Sequence, residues 1–152
     1  MTAMHRQQKP GVINIFKCKC PRCRQENMFE DPNPYHLKRT MKMRSECPVC
    51  GQSFNLEVGF YYGSGYASYG LSLAVSVASL VIYWLTIGLS IHDYRFLYWL
   101  LINAVLLIAL QPLLMRMART LWLALFIPYD PEWKIRAAVK PERTNEDQQN
   151  NW

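Results

Sequence analysis

Residues 69–91 read YGLSLAVSVASLVIYWLTIGLSI, and residues 96–115 read FLYWLLINAVLLIALQPLLM. Neither stretch holds an Asp, Glu, Lys or Arg, and the first uncharged zone reaches back as far as Val58. A helix crosses about 30 Å of hydrocarbon with about 20 apolar residues, so each stretch is long enough to span a bilayer. The link between them, residues 92–95, is so short that the two helices must run antiparallel. The fold class that follows is membrane α-helical: a two-helix transmembrane hairpin with a small N-terminal domain and an interfacial C-terminal helix.

Averages hide this division. The chain of 152 residues is 51% hydrophobic, yet its mean hydropathy of -0.09 is that of an ordinary soluble domain. Charge is partitioned, with ten Lys or Arg against five acids in residues 1–68 and six against five in residues 116–152. The linking turn contributes only Asp93 and Arg95. The positive-inside rule then places both termini in the cytoplasm and the turn outside. Residues 1–14, with His5, Arg6, Lys9 and Pro10, lack the apolar run of a signal peptide, so export of the N-terminus is not expected. The basic balance suits anionic lipid head groups better than nucleic acid.

Around the hairpin, residues 1–14 form a polar tail and residues 15–57 a cysteine-bearing domain. Residues 58–68, VGFYYGSGYAS, bring aromatics to head-group level, with helical structure beginning as early as Phe60. The DPNPY run at residues 31–35 reads as an extended loop because its prolines disfavour helix. Residues 116–128 are expected to lie in the interface or to extend the second span. Residues 129–152 form a polar tail whose ERTNEDQQNN stretch has the composition of disorder.

All five cysteines precede the hairpin. Cys20-Pro-Arg-Cys23 and Cys47-Pro-Val-Cys50-Gly51 are two CPxC units with 23 residues between them. Such a loop sets two sulfurs on one ion while its backbone N–H groups point at them, and two loops complete a tetrahedron. A reducing cytosol favours thiolates on a metal over disulfides. Zinc is the expected ion, in a zinc-ribbon-like domain; the CPVCG unit also resembles a rubredoxin knuckle, so iron in a membrane-tethered electron carrier is the alternative. Gly51 follows the second pair, where positive φ is common, and Arg24 holds the equivalent place in the first. Cys18 is a spare, either a substitute ligand or a simple thiol. Four thiolates leave no open position, and His5, His36 and His92 are scattered, so no catalytic residue is expected and the protein is read as a non-enzyme. A nucleic-acid-binding ribbon using Lys38, Arg39, Lys42 and Arg44 is a further alternative, without an aromatic platform to support it.

Within the first span, Ser68, Ser72, Ser76, Ser79, Tyr83, Thr86 and Ser90 recur every three or four residues, which is one helix face. Small and hydroxyl residues let helices approach closely in lipid. Asn103 and Gln111 of the second span are the expected partners, with Asn103 level with Tyr83 or Thr86 and Gln111 level with Ser76; a partner protein is the rival destination for the amides. The spans hold no ionisable ion-pathway residue, and two helices cannot enclose a pore alone.

The CPRC and CPVCG knuckles, GFYYGSGYASY, the hairpin and the closing RMARTLWLALFIPYD together resemble the bacterial membrane family called domain of unknown function 983, over roughly residues 16–130. The NPYHLK and GFYYG segments resemble the form found in Bacteroidota. The resemblance implies a cytoplasmic zinc-ribbon-like head on a short hairpin, with Cys20, Cys23, Cys47 and Cys50 as ligands. It also implies an accessory or assembly role, or a small-subunit role, at a membrane complex, with a cytochrome oxidase or other respiratory complex as the candidate partner. Association with a second copy is compatible with the same pattern.

Overall fold

The structure, a computed structural model, describes residues 13–88 and 93–140. His5, His92 and Ser90, with the stretch at residues 142–151, lie outside the described residues. Among the described residues three α-helices carry the fold: α1 (Ile13–Phe16), α2 (Ser64–Ile87) and α3 (Arg95–Phe126). A 3-10 turn over Phe60–Gly63 leads directly into α2, so helical structure starts before residue 69. Both long helices are apolar enough to cross a membrane, and Leu73, Val81 and Leu85 on α2, like Leu101, Val105 and Ile108 on α3, are exposed.

The interfacial C-terminal helix of the expected architecture is not a separate element. Residues 116–126 continue α3 unbroken, and Pro112 sits inside the helix without ending it. In the sequence Arg116 and Arg119 follow directly on the apolar run, where a charge favours an interface. Both are instead buried against the N-terminal domain. Arg116 Nε donates to the Thr40 carbonyl at 2.7 Å and Nη1 to that of Asp31 at 2.9 Å, while Arg119 Nη1 donates to Met41 O at 3.3 Å. One helix thus serves as the second arm of the hairpin and as a wall of the head.

The contacts between α2 and α3 run in opposite chain directions, as an antiparallel pair requires. Tyr83 Oη donates to Arg95 O at 3.0 Å near the turn, and Trp122 Nε1 donates to Phe60 O at 2.9 Å at the head end. Between them Ser79 Oγ donates to Asn103 Oδ1 at 3.0 Å, Asn103 Nδ2 donates to Ser76 Oγ at 3.3 Å, and Trp99 Nε1 donates to Ser79 Oγ at 3.3 Å. Asn103 therefore sits about two turns closer to the head than the level of Tyr83 and Thr86. The expected register lay too close to the turn, because α2 already stops at Ile87. Ser72 Oγ donates to Ser68 O, Ser76 Oγ to Ser72 O and Thr86 Oγ1 to Ile82 O, so these hydroxyls satisfy themselves on their own helix. Gln111 is exposed, and Asn103 occupies the place beside Ser76 that was expected for it.

The Asn103 bonds supply a modest prediction. Asn103→Leu removes the amide shared by Ser76 and Ser79 and is expected to lower hairpin stability by about 0.6 to 2 kcal/mol. Reversible unfolding in mixed micelles would measure it. An unchanged midpoint would show that the two serines are equally well served by their own helix.

The head has little regular structure. Single antiparallel bridges, Lys19 with Asn27 and Glu46 with Ser53, close the two knuckle loops, and Phe29 with Met43 joins the halves. Its core gathers Cys20, Cys23, Met28, Phe29, Cys47 and Phe54 with Leu123 and Ile127 from the end of α3. The DPNPY run is not extended but folded into successive side-chain turns. Asp31 Oδ1 accepts from the Asn33 amide at 2.9 Å and Asn33 Oδ1 from the Tyr35 amide at 3.0 Å. Asp and Asn side chains supply the acceptors that a proline-interrupted backbone needs in order to turn. Asn33 and His36 together hold the Asp31 carboxyl below the usual carboxylate range, the Asn33 amide being the larger influence.

Candidate metal centre

Each cysteine pair is placed by the same local fold. The Arg24 amide donates to Cys20 O and the Gly51 amide to Cys47 O, both at 2.8 Å, and the residues completing the two turns are left-handed, at φ 55 for Arg24 and 66 for Gly51. Glycine takes that conformation without a Cβ clash, whereas arginine meets a cost of about 1–2 kcal/mol. Arg24 is held there in part by the Tyr129 ring, which lies 4.7 Å from its guanidinium carbon.

The four Sγ atoms of Cys20, Cys23, Cys47 and Cys50 lie within 4.8 Å of one another. Across the two knuckles, Cys20 and Cys50 are 3.8 Å apart and Cys23 and Cys47 are 3.7 Å apart. A tetrahedron with metal–sulfur bonds of about 2.3 Å has edges of about 3.8 Å, so the cysteines are positioned to bind one metal ion. Cys20 and Cys23 are fully buried and Cys47 nearly so, which closes the centre to solvent on that side. Hydrogen bonds among the thiols already divide them. Contact with Cys20 draws Cys47 far below the ordinary thiol range and lowers Cys23 to about 7, while Cys20 itself is held well above that range, chiefly by Cys23. Cys18, at φ 57, stands outside the cluster; burial pushes its thiol up against the opposing influence of Thr120 and Arg116.

One residue within a knuckle and one just after the other have a role that the cysteine spacing does not reveal. Arg22, only 3% exposed, donates from Nη2 to the carbonyls of Arg136 at 2.7 Å and Ala137 at 3.0 Å, and lies 3.5 Å from Asp130 Oδ2. Gln52, fully buried, donates from Nε2 to Val139 O at 3.0 Å and accepts the Val139 amide on Oε1 at 3.1 Å. Residues 130–139, read from sequence as a free polar tail, are therefore strapped across both knuckles. Four thiolates on a divalent ion would carry a net charge of −2, which the buried Arg22 guanidinium beside Cys50 O would partly offset. The only sequence signal was their position, an Arg within one CPxC loop and a Gln just after the other.

This strap gives a prediction of its own. In metal-loaded Gln52→Ala both Val139 backbone groups lose their partners, at about 1–3 kcal/mol. Hydrogen exchange at the Val139 amide is expected to accelerate by about tenfold or more, since about 1.4 kcal/mol is a factor of ten. Exchange at the unchanged rate would mean that Gln52 does not hold the strap.

The family model described as Protein of unknown function (DUF983) matches residues 37–127. The chain belongs to the DUF983 family. The matched segment of this DUF983 protein holds Cys47 and Cys50, both apolar helices and the buried end of α3; Cys20 and Cys23 precede it. Arg116, Arg119, Trp122 and Leu123, which fix helix to head, all fall inside the match. No curated protein and no solved structure matches the chain.

Proposed function

We propose that this DUF983 protein is a non-enzymatic scaffold in a bacterial inner membrane, with a zinc-stapled cytoplasmic head held rigidly on a transmembrane hairpin, acting as an accessory, assembly factor or small subunit of a membrane complex. The observation that carries this reading is the continuity of α3 from its exposed apolar half into the core beside the cysteines. A head that only needed tethering could hang on a loose linker; here any force or contact on the head is transmitted to the hairpin. The exposed apolar surface of both helices supports membrane insertion, because soluble chains rarely leave so large a patch uncovered. The closed tetrahedral site supports a structural ion. A respiratory oxidase is the partner class suggested by the family resemblance, and both termini on the cytoplasmic side follow from the charge balance.

Purification of the tagged full chain in mild detergent, with identification of whatever subunits accompany it, tests the scaffold role. Recovery of respiratory subunits in fixed proportion is expected, and a chain recovered alone or only with its own copies would defeat the assembly reading. Metal analysis of the same preparation separates zinc from iron: a colourless protein with one zinc per chain is expected. A visible band that bleaches on reduction would replace the scaffold with an electron carrier.

A further inference from the structure

The turn over residues 34–40 lies on the side of the head that meets the hairpin. Arg116 holds it there, since the Asp31 and Thr40 carbonyls accept from the same guanidinium. A long helical side chain reaches back toward the N-terminus of its own helix, which in α3 is toward the apolar run. Pro32 and Pro34 accordingly line a small cavity with Phe16 of α1 and with Leu113, which lies about 4.5 Å before Arg116 along α3. The turn is also pinned from within: Thr40 shares its hydroxyl proton between the Pro34 and His36 carbonyls, each at 2.8 Å, and the Arg39 amide donates to His36 O at 2.8 Å. On this fixed turn Tyr35 is exposed and Leu37 is 77% exposed, while Phe16, across the cavity, is half exposed. Lys38 and Arg39 follow directly. Among the described residues neither has an ion pair, whereas Lys42 pairs with Glu30 and Arg44 with Glu26.

Aromatic residues on the other arm of the hairpin mark the same level. With Ser76 opposite Asn103 and Phe60 opposite Trp122, Leu113 stands level with the stretch from Tyr66 to Tyr69, and both tyrosines are exposed. Trp84, exposed near the other end of α2, lies about 27 Å from Tyr66 at about 1.5 Å per residue, close to the hydrocarbon thickness of about 30 Å. Tyr and Trp collect at the two faces of a bilayer, so Tyr66 and Tyr69 set the head-group level beside the turn. We propose that this turn is a second membrane anchor: Tyr35 and Leu37 enter the head-group layer, and Lys38 and Arg39 meet the phosphates of anionic phospholipids. The tyrosine ring offers an apolar body with a polar tip, the leucine is wholly apolar, and a cation beside an anionic surface is attracted to it. Thr40 and Arg116 have already fixed the turn, so entering the layer orders little additional chain. The knuckles point the other way, because the cysteine core packs on Leu123 and Ile127, about 15 to 21 Å farther along α3 than Leu113. The anchor rests on the membrane reading above.

The test uses the metal-loaded full chain with photoreactive p-benzoylphenylalanine in place of Leu37, of Leu101 on the exposed face of α3, or of Val49, exposed on the second knuckle. In nanodiscs of phosphatidylglycerol and phosphatidylcholine, irradiation is expected to give phospholipid adducts at positions 37 and 101 and few at position 49. A second measurement needs no probe. The Leu37 and Lys38 amides donate no hydrogen bond within the described chain, so only the bilayer would protect them from exchange. Combining Lys38→Glu with Arg39→Glu is expected to lower their protection factors in the same nanodiscs about tenfold or more. Metal content confirms that each variant is folded. Adducts at 101 with no more at 37 than at 49, or equal protection in the charge-reversed variant, would overturn the anchor and leave the hairpin reading standing. Absence of adducts at 101 would remove the hairpin reading and the anchor with it. In native membranes, a polypeptide joined at position 37 in place of lipid would overturn the anchor and give the surface to a partner protein.

Discussion

Replacing Cys47 and Cys50 together by serine is expected to release the metal and unfold the head while the apolar hairpin still partitions into membranes. The head has few apolar residues to hold it: Met28, Phe29 and Phe54 are fully or almost fully buried, and the cysteines themselves make up much of the remaining core. A segment of this size rarely gathers enough apolar burial to fold unaided. Structural zinc contributes an apparent 10–16 kcal/mol in small sites, comparable with or above the whole stability of a typical domain, about 5–15 kcal/mol. Removing two of four thiolates therefore removes more than the head can spare. Trypsin is the readout, since Lys38, Arg39, Lys42 and Arg44 lie in the segment between the knuckles. Rapid cutting there in the variant, with intact carbonate-resistant membrane association, is expected. A head that stays resistant to trypsin in the variant would end the structural-metal reading. The strap should loosen in the same experiment, because Arg22 and Gln52 hold residues 136–139 only while the knuckles keep their shape.

The two CPxC units were legible because a metal site imposes spacing on the sequence: two ligands per turn, with a left-handed residue after each. The hairpin was legible because two long runs free of charge, joined by a short link, are recorded directly in composition. The attachment of helix to head was much less visible. RMARTLWLALF satisfies both an interfacial helix and a buried one, since arginines seek lipid phosphates in the first case and carbonyls in the second. Only the location of the Thr40 and Asp31 carbonyls decides between them. The strap was illegible for a related reason. Val139 takes part through its backbone alone, and any residue but proline offers the same N–H and C=O. The Asn103 register failed by about two turns because the stopping point of α2 sets the pairing, and a short link leaves that point uncertain by several residues.

Gly63→Ala is expected to be strongly destabilising although the backbone there suits alanine. Gly63 has φ −66 and ψ −21, an ordinary right-handed conformation, so the substitution carries no torsional penalty and would by propensity alone be mildly favourable. The obstacle is the neighbouring helix. A Cβ at this position would lie 2.0 Å from Trp122 Cζ2 and 2.4 Å from Cη2, inside any permissible contact. The indole cannot simply swing aside, since Nε1 donates to Phe60 O at 2.9 Å and the ring packs on Phe126 at 5.3 Å between centroids, with Phe60 and Phe126 themselves 5.0 Å apart. Forcing it out costs overpacking of about 1–3 kcal/mol and loses a hydrogen bond of about 0.5–1.5 kcal/mol. The damage falls where α2, α3 and the head join, so the midpoint of thermal unfolding in detergent should drop by several degrees. Trp122→Leu distinguishes this cause from a generic intolerance of Gly63. In that background, with the ring gone, adding Gly63→Ala should cost nothing or stabilise slightly, giving a coupling of about 2 kcal/mol or more in the double-mutant cycle. Equal penalties for Gly63→Ala with and without Trp122 would mean that the close approach of the two helices at this point does not exist.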